Sequence, residues 1–143
     1  MKQYRGIILF LIVVTAVFVL IQVWHARVAP EEEKKERERK LEGIAVIMSL
    51  GTPKMVDDAS RLDSVTYQDG TMRVSYTLTQ LAKADIDVAD FKTRAKTVAV
   101  EQSCAREGLG PFVKSGLILF YTFKDSSGSL IVNLQVSKSD CFQ

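Results

Sequence analysis

The chain is poor in the side chains that catalysis and metal binding use most. Its 143 residues include one histidine, His25, and two cysteines, Cys104 and Cys141. A Ser-His-Asp triad or a Cys-His pair cannot form in the C-terminal part without a histidine there, and the cysteines lack a partner for a metal site. The charges nearly balance, 19 Lys and Arg against 17 Asp and Glu. We therefore expect no enzyme activity, cofactor, small-molecule substrate or nucleic-acid binding.

Two further patterns lack the spacing of a redox site or a calcium-binding site. Cys104 and Cys141 are too far apart in the sequence for a C-x-x-C redox pair. The acidic residues of the C-terminal part lack the loop and terminal Glu of an EF-hand, which favours roles in turns and helix caps over calcium binding. These residues are Asp57, Asp58, Asp85, Asp87 and Asp90.

One long apolar run is present, bounded by Gly6 and Trp24, and it contains no charged residue. About nineteen residues suffice for a helix that crosses a bilayer, so we predict a transmembrane helix, with His25 at the interface. A cleaved signal peptide is the alternative, although the run exceeds the usual apolar length and lacks a small-x-small cleavage site. No cysteine directly follows the run to carry a lipid.

The cysteines favour one orientation of this helix. An even number of cysteines in a small domain outside the cytoplasm is typical of a disulfide, here between Cys104 and Cys141. We therefore predict a single-pass protein of the bacterial inner membrane with its C-terminal domain in the periplasm. The excess of Lys and Arg after the span favours the opposite orientation, and two buried free thiols in a cytoplasmic domain remain the alternative.

Charge and hydropathy divide the chain into four parts. We predict a cytoplasmic tail over residues 1–5, a transmembrane helix over 6–25, a charged helical stalk over 26–53 and a periplasmic domain over 54–143. The stalk helix is expected to start at Pro30, since proline suits the first helical position. Opposite charges four residues apart, such as Glu36 and Lys40, support it. Its last turns carry an apolar stripe that can dock on the domain: Leu41, Ile44, Ile47, Met48 and Leu50.

The domain is predicted to be α+β, with the order β-β-α-β-β and a small antiparallel sheet packed with helices. Residues 64–67 and Thr71–Leu78 alternate apolar and polar side chains around an Asp-Gly turn. A helix is expected from an Asp87 cap to about Glu107. A second hairpin joins residues 116–123 to Leu130–Val136. Four aromatic residues of the strands could form a partner-binding patch or a half-buried core: Tyr67, Tyr76, Tyr121 and Phe123.

The chain resembles the AspS-type pilotins of type II secretion systems over residues 61–141. The similar elements are a hairpin with a glycine turn, a helix ending in Cys104, and the series Gly116, Tyr121, Asp125, Gly128 and Cys141. The resemblance implies a disulfide between the cysteines and a domain that binds a helix of the outer-membrane secretin. This chain has an apolar anchor where the family has a lipidated cysteine, so we do not expect it to travel to the outer membrane.

These observations lead to two functional hypotheses. The first is an inner-membrane-anchored periplasmic protein-interaction module that binds a helix or strand of an envelope protein, accessory to a secretion or pilus system. The alternative is a periplasmic inhibitor or immunity protein that blocks a toxin or an envelope enzyme.

Overall fold

The structure is a computed structural model that describes the backbone of residues 2–142 and the side chains of residues 14–24 and 30–142. The chain forms two compact units, Met1–Lys40 and Leu41–Gln143. The described residues form three helices and five strands, in chain order: α1 Lys2–Ser49, β1 Lys54–Met55, β2 Ser60–Gln68, β3 Thr71–Leu78, α2 Val88–Cys104, α3 Gly110–Lys114, β4 Ile118–Lys124 and β5 Leu130–Val136. Short 3-10 turns occupy Lys83–Asp85 and Lys138–Phe142.

Helix α1 passes through Pro30, so the predicted helix start at that residue is wrong. A proline inside a helix removes one backbone hydrogen bond, and the Glu- and Lys-rich residues after it are strong helix formers that sustain the helix. Of the predicted opposite-charge pairs, Lys40 Nζ and Glu36 Oε1 lie 2.7 Å apart. Both side chains are exposed, so water and salt screen this pair and it contributes little to stability.

Within the described residues, no helix contains a stretch long and apolar enough to cross a membrane. The structure therefore does not support the predicted transmembrane helix between Gly6 and Trp24. Part of that prediction, at residues 6–13 and at His25, falls on side chains outside those described.

The second unit contains a mixed sheet with the strand order β1-β2-β3-β4-β5. The prediction of an α+β domain is correct, but the sheet is not purely antiparallel, because β3 and β4 pair in parallel. Parallel neighbouring strands need a crossover connection rather than a hairpin, and α2 and α3 lie in the crossover between β3 and β4. The two-residue edge strand β1 was also not predicted.

The first hairpin turns at Asp69 and Gly70, whose φ angles of 49° and 74° suit an Asp-Gly hairpin turn. Strand β2 starts earlier than predicted, at Ser60, and its register with β3 shifts between Leu62 and Ser64. This bulge keeps Leu62 on the same face of the sheet as Val65. The extra residue, Asp63, accepts hydrogen bonds from Arg61 Nε at 2.8 Å and Thr77 Oγ1 at 2.7 Å.

The core lies on one face of this sheet. Its most deeply buried side chains come from the end of α1, from α3 and the connection that follows it, and from β3 to β5: Leu41, Met72, Val113, Leu117, Leu119 and Val136. Cys104 and Cys141 form the predicted disulfide, with their Cα atoms 5.3 Å apart, and tie the end of α2 to the C-terminal 3-10 turn. The stripe predicted on α1 is only partly buried, since Leu41 packs in the core while Ile47 and Leu50 are exposed.

Candidate functional site: a cleft beside helix α2

Helix α2 begins where the sequence predicts and buries a narrow face. The Asp87 side chain caps it by accepting hydrogen bonds from the backbone N–H groups of Ala89 and Asp90 at 3.0 and 3.1 Å. Ala99 and Ser103 are buried, whereas Val98 is half exposed. Val98 faces an open cleft next to the helix.

This cleft, of about 770 Å³, lies between α2 and the core face of the sheet. Strands β3 and β4 supply its floor with Tyr76, Leu78, Tyr121 and Phe123. Both strands are interior, so their backbone hydrogen bonds go to neighbouring strands. The cleft therefore offers apolar and aromatic side chains to a ligand rather than a free sheet edge.

Ring contacts hold the floor of the cleft in place. Tyr76 stacks on Phe123 with ring centroids 5.5 Å apart, and Phe91 of α2 meets Phe123 edge-on at 5.4 Å. The Tyr121 hydroxyl lies 2.9 Å from Oγ of the buried Ser103. Burial raises the pKa of both Tyr76 and Tyr121 above the usual value, so neither phenol ionises at neutral pH. The floor is thus an uncharged surface whose rings contact one another.

The remaining sides of the cleft come from segments outside the helices. Val56 and Ser60 line one side, and Leu81 and Ile86 of the loop between β3 and α2 line another. The second hairpin holds this loop, because Asp125 accepts a hydrogen bond from the Lys83 backbone N–H at 3.0 Å. Ser126 N–H in turn donates to the Leu81 carbonyl at 2.9 Å.

Two of the acidic residues have the predicted roles, Asp57 in a turn and Asp87 at the helix cap. Asp57 accepts hydrogen bonds from the backbone N–H groups of Ala59 and Ser60 at 2.8 and 2.7 Å, and the bond from Ala59 lowers the pKa of Asp57. Arg94 donates to Asp90, and this bond lowers the pKa of Asp90. In the described part of the chain, no three His, Cys, Asp or Glu side chains are grouped to hold a metal ion.

Three of the four aromatic residues named from the sequence meet in this cleft, while Tyr67 does not line it. All four are partly buried, as expected of a half-buried core, and three of them also face the open cleft. The sequence analysis missed Val56, Leu81, Ile86 and Val98 as lining residues. The one signal for Val56, Leu81 and Ile86 was apolar side chains in segments otherwise rich in Asp and turn residues, whereas Val98 lies inside helix α2.

Comparisons with known proteins find relatives by fold but not by sequence. No protein-family model matches the chain, and no curated protein gives a significant match. Among solved structures, the type II secretion pilotin AspS of Vibrio cholerae is 17% identical with a TM-score of 0.61, covering 79% of this chain and 99% of that one. The pilotin EpsS of Vibrio vulnificus is 18% identical with a TM-score of 0.60, covering 76% and 98%.

A third solved structure, a Pseudomonas aeruginosa protein described as secreted, is 16% identical with a TM-score of 0.60 and covers 74% of this chain and 93% of that one. At such identities the likeness establishes a shared fold and nothing finer. The fold-level resemblance to pilotins is therefore confirmed.

Proposed function

We propose that the unit Leu41–Gln143 is a protein-interaction module, accessory to an envelope assembly such as a secretion system, and that the cleft beside α2 binds its partner. The observation that carries the proposal is an open cleft floored by aromatic side chains on a fold shared with two secretion pilotins. Concave apolar sites with few polar groups are typical binding sites.

We further propose that the uncharged run between Gly6 and Trp24 anchors the protein in the inner membrane and that the cleft faces the periplasm. The support for the anchor is the length of this run in the sequence. The support for the periplasm is the disulfide between Cys104 and Cys141, since disulfides persist in oxidising compartments.

Site-specific photo-crosslinking in cells tests the binding surface. A photoreactive phenylalanine analogue replaces Val98, which faces the cleft, or Leu130, which is equally exposed but lies on the second hairpin outside the cleft. We expect one specific envelope protein attached at Val98 and not at Leu130. Crosslinks at Leu130 alone would place the binding surface on the second hairpin. A toxin or an envelope enzyme as the captured protein would instead support the inhibitor hypothesis.

The proposed membrane anchor and periplasmic location of the domain are tested separately. A reporter fused after Gln143 that is active only outside the cytoplasm should be active, and the fusion should remain in membranes after alkaline extraction. A cytoplasmic reporter, or release of the protein into the soluble fraction, would refute the anchor and the orientation without bearing on the cleft.

A further inference from the structure

The margin of the cleft carries charge of predominantly one sign. Four carboxylates line it, those of Asp57, Asp85, Asp87 and Asp90, against one basic side chain, Arg94. Arg94 is already paired with Asp90. The margin is therefore net negative, although the whole chain has a net charge of +2.

These carboxylates differ in whether they already accept hydrogen bonds within the domain. Asp57 and Asp87 accept hydrogen bonds from backbone N–H groups, yet hydrogen bonds of this kind leave the carboxylate charge in place. Asp85 is exposed, and among the described residues no hydrogen bond or ion pair engages its side chain. Its negative charge is free to act on a ligand in the cleft.

The floor of the cleft limits which backbone can lie on it. A bound strand needs an unpaired sheet edge for its backbone hydrogen bonds, and β3 and β4 are both paired on each side. A helix satisfies its own backbone groups and offers apolar side chains along one face. Between a helix and a strand, the cleft therefore suits the helix.

We propose that the cleft selects an amphipathic helix whose apolar stripe is flanked by lysine or arginine residues. The stripe contacts Tyr76, Val98 and Tyr121, and the basic flank lies against Asp85 and its acidic neighbours. This inference rests on the proposed function and specifies the chemistry of the partner. Complementary charge at the rim also accelerates association and disfavours partners of the wrong sign.

Three synthetic peptides of about twenty residues test this inference. They share one helical apolar stripe and carry Lys, Gln or Glu at the flanking positions. Binding to the full chain in a non-ionic detergent is measured by fluorescence anisotropy at low and at moderate salt. We expect the affinity to be highest for the Lys peptide, lower for the Gln peptide and lowest for the Glu peptide. Added salt should lower the affinity of the Lys peptide and of no other peptide that binds.

A matched pair of variants tests whether the preference for the Lys peptide depends on the carboxylate of Asp85. Asp85→Asn should weaken the Lys peptide about two- to five-fold, as expected for an exposed ion pair, and leave the Gln peptide unchanged. Glu107→Gln removes the same charge from an exposed residue that does not line the cleft, and it should change neither affinity. Equal binding of the three peptides, or identical behaviour of the two variants, would overturn the inference.

One further variant separates this inference from the proposed function. The unsubstituted protein could bind the three peptides equally while Val98→Glu binds none of them. In that case the cleft is the binding site, but its charge does not select the partner. If no peptide binds, or if Val98→Glu changes nothing, both the charge inference and the cleft as a helix-binding site are refuted.

Discussion

Asp125 holds two separate segments of the domain with one carboxylate. Besides the bond from Lys83, it accepts hydrogen bonds from Ser127 Oγ at 2.6 Å, Ser127 N–H at 2.9 Å and Ser129 N–H at 2.8 Å. These bonds, the one from the Ser127 hydroxyl foremost, lower the pKa of Asp125 to about 2. The carboxylate closes the turn of the second hairpin and fixes the loop that lines the cleft.

The depressed pKa predicts how stability depends on pH. A carboxyl group whose pKa is lower in the folded than in the unfolded state stabilises the fold above its unfolded pKa of about 4. That contribution is lost as the pH falls from about 4 to about 2. Asp125→Asn removes the titrating group, so its free energy of unfolding should decline less steeply with falling pH over this window. Denaturant unfolding of both proteins from pH 5 to pH 2 measures the difference, and parallel curves would contradict it.

Gly110, the first residue of α3, has no room for a side chain. A Cβ atom at this position would overlap the carbonyl oxygen of Ala105, which is backbone and cannot rotate away. Gly110→Ala should therefore destabilise the domain by about 1–3 kcal/mol or more. Gly43→Ala serves as the control, because nothing lies within 4 Å of its added Cβ. In a helix that substitution should stabilise by up to about 1 kcal/mol. Equal midpoints in chemical denaturation would show that the close approach is absent.

At the scale of elements, the disulfide is the covalent link between α2 and the C-terminal turn. It closes a loop with a sequence separation of 37 residues, for which loop entropy predicts a stabilisation of about 4 kcal/mol. The double variant Cys104→Ala and Cys141→Ala should therefore lose about 2–4 kcal/mol of unfolding free energy. Reduction of the unsubstituted protein should lower its denaturation midpoint similarly. An unchanged midpoint after verified reduction would show that α2 and the turn are held by packing alone.

The last turns of α1 belong to the fold of the second unit. Leu41 is 1% exposed within the main core, whereas Ile47 on the same helix is 67% exposed. Leu41→Ala should cost about 2–5 kcal/mol, and Ile47→Ala should change stability by less than about 0.5 kcal/mol. Unfolding followed by circular dichroism compares the two. Similar losses for both variants would mean that these turns do not pack as the structure has them.

Local signals in the sequence predicted the elements better than their arrangement. The Asp69-Gly70 turn, the Asp87 cap and the alternation in β3 depend on neighbours along the chain, and all three are observed. The parallel pairing of β3 with β4 depends on which strands become neighbours after a long crossover, which no local pattern encodes. The cleft was missed for the same reason: only packing decides that Ala99 is buried and Val98 is not.

At the scale of the whole molecule, the two faces of the sheet differ in chemistry. One face carries the core and the cleft. The other face carries more polar side chains, with Arg61, Asp63 and Thr77 joined by hydrogen bonds. Its aromatic ring, Phe120, has the Arg73 guanidinium 5.2 Å from the ring centre. An apolar partner therefore has less to gain on this face than in the cleft.

Substitutions in the cleft and in the core should separate binding from folding. Val98 is half exposed in the cleft, while Val113 of α3 is completely buried and does not line it. Val98→Glu should leave the free energy of unfolding within about 0.5 kcal/mol, because a charge at that exposure stays hydrated. It should nevertheless abolish capture of the partner, since binding would desolvate the carboxylate. Val113→Ala should do the reverse, with a loss of about 2 kcal/mol and normal capture by the folded fraction.

Unfolding measurements and in-cell crosslinking on the same two variants decide between these outcomes. A Val98→Glu protein that is folded and still captures its partner would remove the cleft from the binding surface. A Val113→Ala protein that is folded but captures nothing would show that recognition depends on the core beneath the cleft as well as on the side chains that line it.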